Sequence, residues 1–538
     1  METFTKKASG AALIAGFLVL TLMLLASFLL RQKDSSGTVG IQNIEATYHV
    51  LLTIKALGGS PAADHLYLPT VTLGKPADKK IPWGATIPTS SGDYLYTSFT
   101  PPGFLAPYMA LRIFNAAPDT GNLARFNFAL GAASSIILFI FLWQLLVFMG
   151  HSQWKSIGGA LTGSAIGIFS REALQSHGLV YWSHCLYQVL LIASLWLVFK
   201  YLSTDPKQHR VRRHYSHSIV IMAFLGAWIE WTAYIFNFGL ALLFWFGVQG
   251  VGRARGMSVR IALATIAAGI LTVAHYALAA GLLPTLKAFA GRFLARNAAS
   301  GNLVGLLQGY ALSFGLFLLV LAGILIANYF SDSNRKERSH RNTVVAFVAL
   351  AASLPLLENF LMLQHATQFS FDRLKLIFPA AILISIYFCE KSKRTKIILT
   401  AAIACSSLHG YKSYQDGLAP YAQWREIDAR NNKLATMIAE RTNLECAVLL
   451  SNISVRAYAN LLFERGIHEN KKLNESTSLM NSRAACAAIF LEGEEAYSKI
   501  SRINNSIIYY PDLPLFRRAT ITYRDGSSVE IDPDRPSL

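Results

Sequence analysis

The 538-residue chain contains 49 lysine and arginine residues against 31 acidic residues, which gives a net charge of +18. Hydrophobic residues make up 53% of the chain and charged residues only 15%, and the mean hydropathy is +0.36. This composition excludes a water-soluble protein, because a chain of this length could not bury so much apolar surface in one core. The basic residues fall mostly in short loops, so the charge does not indicate a nucleic-acid partner.

The first apolar segment, GAALIAGFLVLTLMLLASFLL, follows the polar start METFTKKASG. Its apolar run of about 20 residues exceeds the roughly 7–15 residues that are typical of a cleaved signal peptide. A retained membrane helix is therefore the expectation, and a signal peptide is the alternative.

Ten further apolar runs follow, so the predicted fold is an all-α membrane bundle of about eleven spanning helices. The third, fifth and eleventh are shorter than the roughly 20 residues of a straight span. The expected spans cover about residues 10–30, 128–149, 157–169, 184–201, 218–229, 235–249, 260–281, 305–329, 343–362, 374–389 and 396–410.

The basic clusters between these runs predict the orientation of the bundle. If the N-terminus is cytoplasmic, each cluster lies on the cytoplasmic side, as the positive-inside rule requires of short loops. The long loop 31–127, the later loops 282–304 and 358–373, and the tail 411–538 then lie outside the cytoplasm. We expect a multi-pass protein of a bacterial inner membrane with its C-terminal domain in the periplasm.

Loop 31–127 has the most room to build a site over the membrane, and interfacial helices are expected within it. Basic residues in later external loops oppose the positive-inside bias, so an anionic partner is expected, with simple snorkelling to lipid headgroups as the alternative. Arg292 and Arg296 are four residues apart and would share one face of an interfacial helix. The basic candidates are Lys287, Arg292, Arg296 and Arg373.

Other polar residues on the external side include His177, His184 and His365. These histidines are scattered along the chain and form no HxxxH pattern, so no metal site is predicted from them. No Walker or Rossmann glycine motif occurs, and the cytoplasmic loops are too short for a nucleotide-binding domain. The energy for any reaction must therefore arrive in the substrate.

Residues 411–538 change character and predict a small α/β domain with a partly parallel sheet. ECAVLLSN, RAACAAIFLEG and SIIYY are predicted strands, YAQWREIDARNNKLATMIAERTN, VRAYANLLFERG and EEAYSKISRIN are predicted helices, and ITYRDGSSVEI is a predicted hairpin that turns at Asp525 and Gly526. Cys446 and Cys486 lie in the first two strands, where a disulfide and two buried thiols both remain open.

Three short segments carry a resemblance to a known family. Residues 45–49 (EATYH) are similar to an acidic-x-x-Tyr-His motif in the first external loop, and residues 96–104 (YTSFTPPGF) to an aromatic, proline-rich stretch. Residues 364–373 (QHATQFSFDR) are similar to a histidine-bearing motif near the end of the bundle. With the predicted layout of residues 1–410, they resemble the GT-C-type integral-membrane glycosyltransferases, which include protein mannosyltransferases and lipid A aminoarabinose transferases. The chain departs from the common Asp-Glu pair, because Ile44 precedes Glu45.

The resemblance implies an inverting transfer of a sugar from a polyprenyl-phosphate donor to a lipid, glycan or protein acceptor at the outer face of the membrane. Glu45 is the expected base, with Asp93 and more distantly Asp34 as fallbacks. The four basic candidates would hold the donor phosphate. No cofactor is assigned, and a divalent cation remains open. The residues expected to line the substrate are Tyr48, His49, Tyr96, His177, Glu230, His365 and Asp372.

A transporter or flippase of an anionic lipid or lipid-linked sugar is the alternative, because it would also require external basic residues and polar groups within the bundle. The absence of obvious internal repeats in the sequence argues against it.

Overall fold

The computed structural model describes residues 2–35, 44–73, 75–82, 85–249, 251–296, 303–331, 340–419, 423–494, 497–503, 506–511 and 513–535. The chain forms two compact units. We name the first the helical unit; it comprises Met1–Ser35, Ala124–Thr272 and Leu294–Gln415. We name the second the mixed unit; it comprises Ser36–Leu123, Val273–Phe293 and Asp416–Leu538.

Each of the eleven apolar runs forms helix, and their long helices account for most of the helical unit. The run at about residues 305–329 is broken, because its two helices meet at Gly315 with a bend of 103°. The helices are Glu2–Ser35, Thr120–Phe148, Gln153–Phe169, Ser183–Ser203, His209–Ile229, Thr232–Phe246, Arg255–Ala280, Leu303–Phe314, Leu316–Ser331, His340–Ser353, Ile377–Glu390 and Lys393–Leu418.

Among the described residues, five helical stretches are long and apolar enough to cross a membrane, or six if the bent pair is one span. They are Gly10–Asp34, Thr120–Phe148, Ser183–Ser203, Arg255–Ala280 and His340–Leu361. Large apolar side chains such as Leu263 and Ile270 are exposed on these helices, which suits contact with lipid rather than water. The chain is therefore a multi-pass integral membrane protein, and the finer count of eleven spans stays a prediction.

Small residues allow two helices of this unit to approach closely. Gly163 lies in the helix Gln153–Phe169, and a Cβ atom added there would overlap Ser385 Oγ and lie 2.6 Å from the Ala381 carbonyl oxygen. Close backbone contact at glycine is a common way for membrane helices to pack without a hydrophobic driving force.

The mixed unit contains the long loop between the first two apolar runs and the C-terminal tail. The loop forms the helices Ile44–Gly59, Ala62–His65 and Pro102–Ile113 and a two-stranded hairpin of Thr86–Pro88 with Tyr94–Tyr96. The hydroxyl of Tyr276, near the end of the helix Arg255–Ala280, lies 2.7 and 3.0 Å from the carbonyl oxygens of Tyr96 and Phe99, which share its one proton. This buried tyrosine ties the hairpin region to the helix end.

The tail contains both strands and helices, and its bounds 411–538 as a separate domain stay a prediction. Its five-stranded sheet has the order Ile467–His468, Val448–Ser451, Ala487–Glu494, Leu515–Tyr523, Ser528–Ile531, with the first three strands parallel and the last two antiparallel. The helices Gln423–Arg441, Ala457–Leu462 and Ser476–Ser482 accompany the sheet.

Two details of the tail go beyond or against the sequence predictions. Cys446 and Cys486 form a disulfide, which settles the two alternatives that their positions left open. The helix predicted over EEAYSKISRIN is wrong, because Tyr497–Ile503 is a strand that pairs antiparallel with Ser506–Pro511. Hydrogen bonds to a neighbouring strand have overridden the local helical pattern.

Candidate functional site

Six ionisable side chains of the helical unit form one buried group, which we name the polar cluster. Each is at most 6% exposed, and each lies near a helix end, between two helices or in a helix of at most seven residues. Buried ionisable groups are expensive in a membrane protein and usually mark a functional site. The members of the polar cluster are His184, Glu230, Glu358, His365, Asp372 and Lys375.

Asp372 lies between two histidines at the centre of the cluster. Its Oδ1 atom is 2.5 Å from His184 Nε2, and its Oδ2 atom is hydrogen-bonded to His365 Nδ1. One ligand atom from each of these three residues lies within 4.8 Å of the others. The scatter of these histidines along the chain was the reason for predicting no metal site from them, yet the structure brings His184 and His365 to one carboxylate. HxxxH spacing detects only ligands on one helix, whereas His184 and His365 come from distant segments.

The carboxylate of Glu230 borders this centre. Glu230 Oε2 lies 3.4 Å from His184 Nδ1, and the same carboxylate accepts hydrogen bonds from Ser183 Oγ and, at 2.8 Å, from the backbone N–H of Trp231. Hydrogen bonds from neighbours hold Glu230 in place beside the His184 ring.

Lys375 and Glu358 form a buried ion pair on another side of the cluster. Thr232 Oγ1 also donates to Glu358, and Asn359 Oδ1 accepts a 3.3 Å hydrogen bond from Lys375. The lysine charge is thus directed to a carboxylate and an amide oxygen of the same unit.

Arg373 is adjacent to Asp372 in sequence, but its side chain joins a different network. Its Nε atom donates to Ser313 Oγ and one terminal nitrogen donates to the Ala366 carbonyl group, both at 2.8 Å. Ser313 in turn donates to Glu172 at 2.8 Å. These bonds fix the guanidinium, and its role as a phosphate ligand stays a prediction.

His177 lies elsewhere in the helical unit. It belongs to the π-helical turn Gln175–Leu179, and its carbonyl oxygen accepts a 2.8 Å hydrogen bond from the buried Arg31. Asp34, the distant fallback acid, is also buried in this unit and accepts a 2.9 Å hydrogen bond from Tyr414. Neither contact involves the polar cluster.

Glu45 lies in the mixed unit, at the start of the helix Ile44–Gly59. Its partly exposed side chain accepts a 2.5 Å hydrogen bond from the backbone N–H of Ala457, the first residue of a short helix in the tail. Burial of the carboxyl raises the pKa of Glu45 to about 7, although the charge of Arg456 and the backbone hydrogen bonds act in the opposite direction. A carboxyl with a pKa near neutrality is suited to general-base chemistry.

The rest of the EATYH motif packs around Glu45. Tyr48 contacts Tyr458 edge-on at 5.2 Å, and the His49 ring lies 4.0 Å from Tyr96 and 5.9 Å from Phe104. Burial lowers the pKa of His49 to about 3, so its imidazole is neutral at physiological pH. The structure thus brings together two of the three segments on which the family resemblance depended.

Asp93 occupies the turn of the hairpin in the mixed unit. Its carboxylate accepts a 2.6 Å hydrogen bond from Ser91 and lies 3.4 Å from Lys79 Nζ. These contacts stabilise the turn, and a catalytic role for Asp93 stays a prediction.

The remaining basic candidates lie on the helix Leu282–Arg296. Lys287 is exposed, whereas Arg292 and Arg296 are half-buried. Their helix is amphipathic as predicted, but residues 297–302 of the same loop lie outside the described residues. Their role in phosphate binding stays a prediction.

The mixed unit also contains a cavity of about 600 Å³ with a basic lining. Lys55, Lys75 and Arg112 contribute positive charge to its wall, and Glu464 forms a 2.5 Å ion pair with Lys55. Tyr108 accepts a 2.8 Å hydrogen bond from Arg112. Nothing in the sequence motifs had indicated this cavity.

Among the site residues, the sequence predictions had included Glu230, His365 and Asp372 but had not included His184, Glu358 or Lys375. All three missed residues are ionisable and lie next to apolar runs. That position was a usable signal, because an ionisable residue at membrane depth is a functional candidate by default.

Comparisons with known proteins find similar folds but no similar sequence. No family profile and no curated protein sequence matches the chain. The structure is similar to ArnT from Cupriavidus metallidurans in the apo state, with a TM-score of 0.55, 10% identity, and coverage of 92% of this chain and 97% of that one. The same protein bound to undecaprenyl phosphate matches with a TM-score of 0.53, 11% identity and coverage of 91% and 96%.

The oligosaccharyltransferase from Archaeoglobus fulgidus in the apo form is also similar, with a TM-score of 0.52 and 13% identity. That match covers 88% of this chain and 69% of the archaeal one. Both proteins are GT-C-type membrane glycosyltransferases. The resemblance predicted from the three short segments is therefore confirmed at the level of structure: the chain has the fold of the GT-C-type membrane glycosyltransferases.

Proposed function

We propose that the protein transfers a sugar from a polyprenyl-phosphate donor to a lipid, glycan or protein acceptor. The observation that carries this proposal is the shared fold over 92% of the chain with ArnT, a protein that has also been crystallised with undecaprenyl phosphate. The buried polar cluster supports it, because a bundle built only as a scaffold would gain nothing from so many ionisable groups.

Glu45 is the proposed base for an inverting transfer, with Asp93 as the fallback. Its raised pKa supports the assignment, since proton abstraction is most efficient when the pKa of the base is close to the working pH. Lys287, Arg292, Arg296 and Arg373 are the proposed ligands of the donor phosphate, whose charge grows as the sugar departs.

The proposed setting is a bacterial inner membrane, crossed by eleven spans, with the tail in the periplasm. The disulfide between Cys446 and Cys486 supports this orientation, because disulfides persist in oxidising compartments and are rare in the cytoplasm. The basic loops would then face the cytoplasm, as the positive-inside rule requires.

The experiment uses the purified full-length protein in vesicles with a radiolabelled polyprenyl-phosphate sugar. Transfer or hydrolysis of the sugar that depends on the protein would support a glycosyltransferase. Movement of intact lipid between the leaflets without any bond cleavage would instead support the transporter, and the proposal would then be abandoned. Protein heated until it unfolds provides the matched control.

A further inference from the structure

We infer that His184, His365 and Asp372 bind one divalent transition-metal ion of the Zn²⁺ class. Two imidazoles and one carboxylate are a donor set that suits zinc, and three protein ligands leave a coordination position open for water or substrate. The inference concerns a binding site, and it stands or falls independently of the proposed function.

The ligand atoms are close enough to share one ion. Ligand atoms on a tetrahedral zinc ion at bond lengths of about 2.0–2.2 Å lie about 3.3–3.6 Å apart. All three ligand atoms lie within 4.8 Å of one another, and His184 Nε2 and Asp372 Oδ1, now 2.5 Å apart, would separate by about 1 Å to admit an ion.

Asp372 is 1% exposed, and both of its carboxylate oxygens face a histidine nitrogen: Oδ1 lies 2.5 Å from His184 Nε2, and Oδ2 is hydrogen-bonded to His365 Nδ1. A buried carboxylate held between two imidazoles places the donor atoms of a metal site together.

The surroundings of His184 match those of a metal-bound histidine. Nε2 is directed toward the proposed ion, and Nδ1 lies 3.4 Å from Glu230 Oε2. A carboxylate behind a histidine ligand commonly fixes the tautomer and the orientation of the ring. Ser183 and the backbone of Trp231 hold Glu230 in place for this task.

The composition of the cluster favours a bound cation. Glu230, Glu358 and Asp372 are buried carboxylates, and Lys375 is the one lysine among the cluster members. Buried carboxylates are costly at low dielectric unless they are paired, and a divalent ion would reduce that cost. The competing arrangement is a metal-free cluster in which Asp372 is held by its contacts to the two histidines.

Metal content distinguishes the two arrangements. The full-length protein in detergent is stripped with a chelator, equilibrated with zinc, separated from free metal by gel filtration and analysed by elemental mass spectrometry. We expect about one zinc per chain in the wild type and at least about tenfold weaker binding in His365→Ala. His409→Ala removes an exposed histidine of the same unit and should retain full occupancy.

Glu230→Gln is the sharper variant, because Glu230 positions a ligand without being one. It should weaken zinc binding by about 10–100-fold, the usual cost of losing an outer-shell partner. Zinc should raise the midpoint of thermal unfolding in the wild type and in His409→Ala but not in His365→Ala, which also verifies that each variant is folded. A wild-type protein that retains no zinc, or a His365→Ala variant that retains it fully, would overturn the inference. Either result can be obtained whether or not the protein transfers sugar.

Discussion

Replacement of Glu45 by glutamine separates a catalytic role of this residue from a structural one. The glutamine oxygen can still accept the 2.5 Å hydrogen bond from the Ala457 backbone N–H, so the packing of the helix Ile44–Gly59 should be preserved. Glutamine cannot accept a proton. If Glu45 is the base, turnover should fall by about 10²–10⁴-fold, as measured with the radiolabelled donor.

The same variant should change the pH dependence of stability in a defined direction. Burial raises the pKa of Glu45 from 4.5 to about 7, so between these values the folded protein retains a proton that the unfolded chain has lost. The contribution of Glu45 to stability is therefore fully present below about pH 4.5 and is lost as pH rises toward 7, by about 3 kcal/mol at 1.36 kcal/mol per pH unit. Glu45→Gln should match the wild type at pH 4.5 and exceed its stability at pH 8.

Unfolding midpoints in denaturant at pH 4.5 and pH 8 provide the measurement. Glu440→Gln is the matched control, since Glu440 is exposed in the same unit and its replacement should leave the pH dependence unchanged. Full turnover in Glu45→Gln would transfer the base assignment to Asp93. A stability difference that does not grow with pH would refute the argument from burial.

Three further changes test the packing on which the sites depend. Cys446→Ser opens a disulfide with a sequence separation of 40 and should destabilise the mixed unit by about 4 kcal/mol, measured by denaturant unfolding. Gly163→Ala should lower the thermal midpoint because its Cβ atom would overlap the facing helix, whereas Gly10→Ala, with no atom within 4 Å, should not. Lys375→Met leaves the Glu358 carboxylate buried without its ion-pair partner and should cost about 3–5 kcal/mol at neutral pH, with the loss reduced when Glu358→Gln is added.

Much of the secondary structure could be predicted from local patterns in the sequence. Each of the eleven apolar runs is helical, and the turn at Asp525 and Gly526 joins the last two strands of the five-stranded sheet. The error over EEAYSKISRIN shows where this approach fails. Tyr497–Ile503 has a helical spacing of apolar residues, but a partner strand next to it in space decides its conformation.

The candidate sites depend even more than the secondary structure on contacts that local sequence patterns do not show. The sequence predicted that polar residues next to the apolar runs form a site, and it predicted that the loop 31–127 contributes to that site. It could not indicate that Glu45 contacts the tail at Ala457, or that His184 and His365 meet across Asp372.

Composition and the apolar periodicity by themselves determined that this is a multi-pass membrane protein, because the cost of burying backbone and charge in lipid acts on each segment separately. Only the tertiary structure decided which ionisable residues share a site. That choice depends on how the helices pack, and packing joins segments that no local pattern connects.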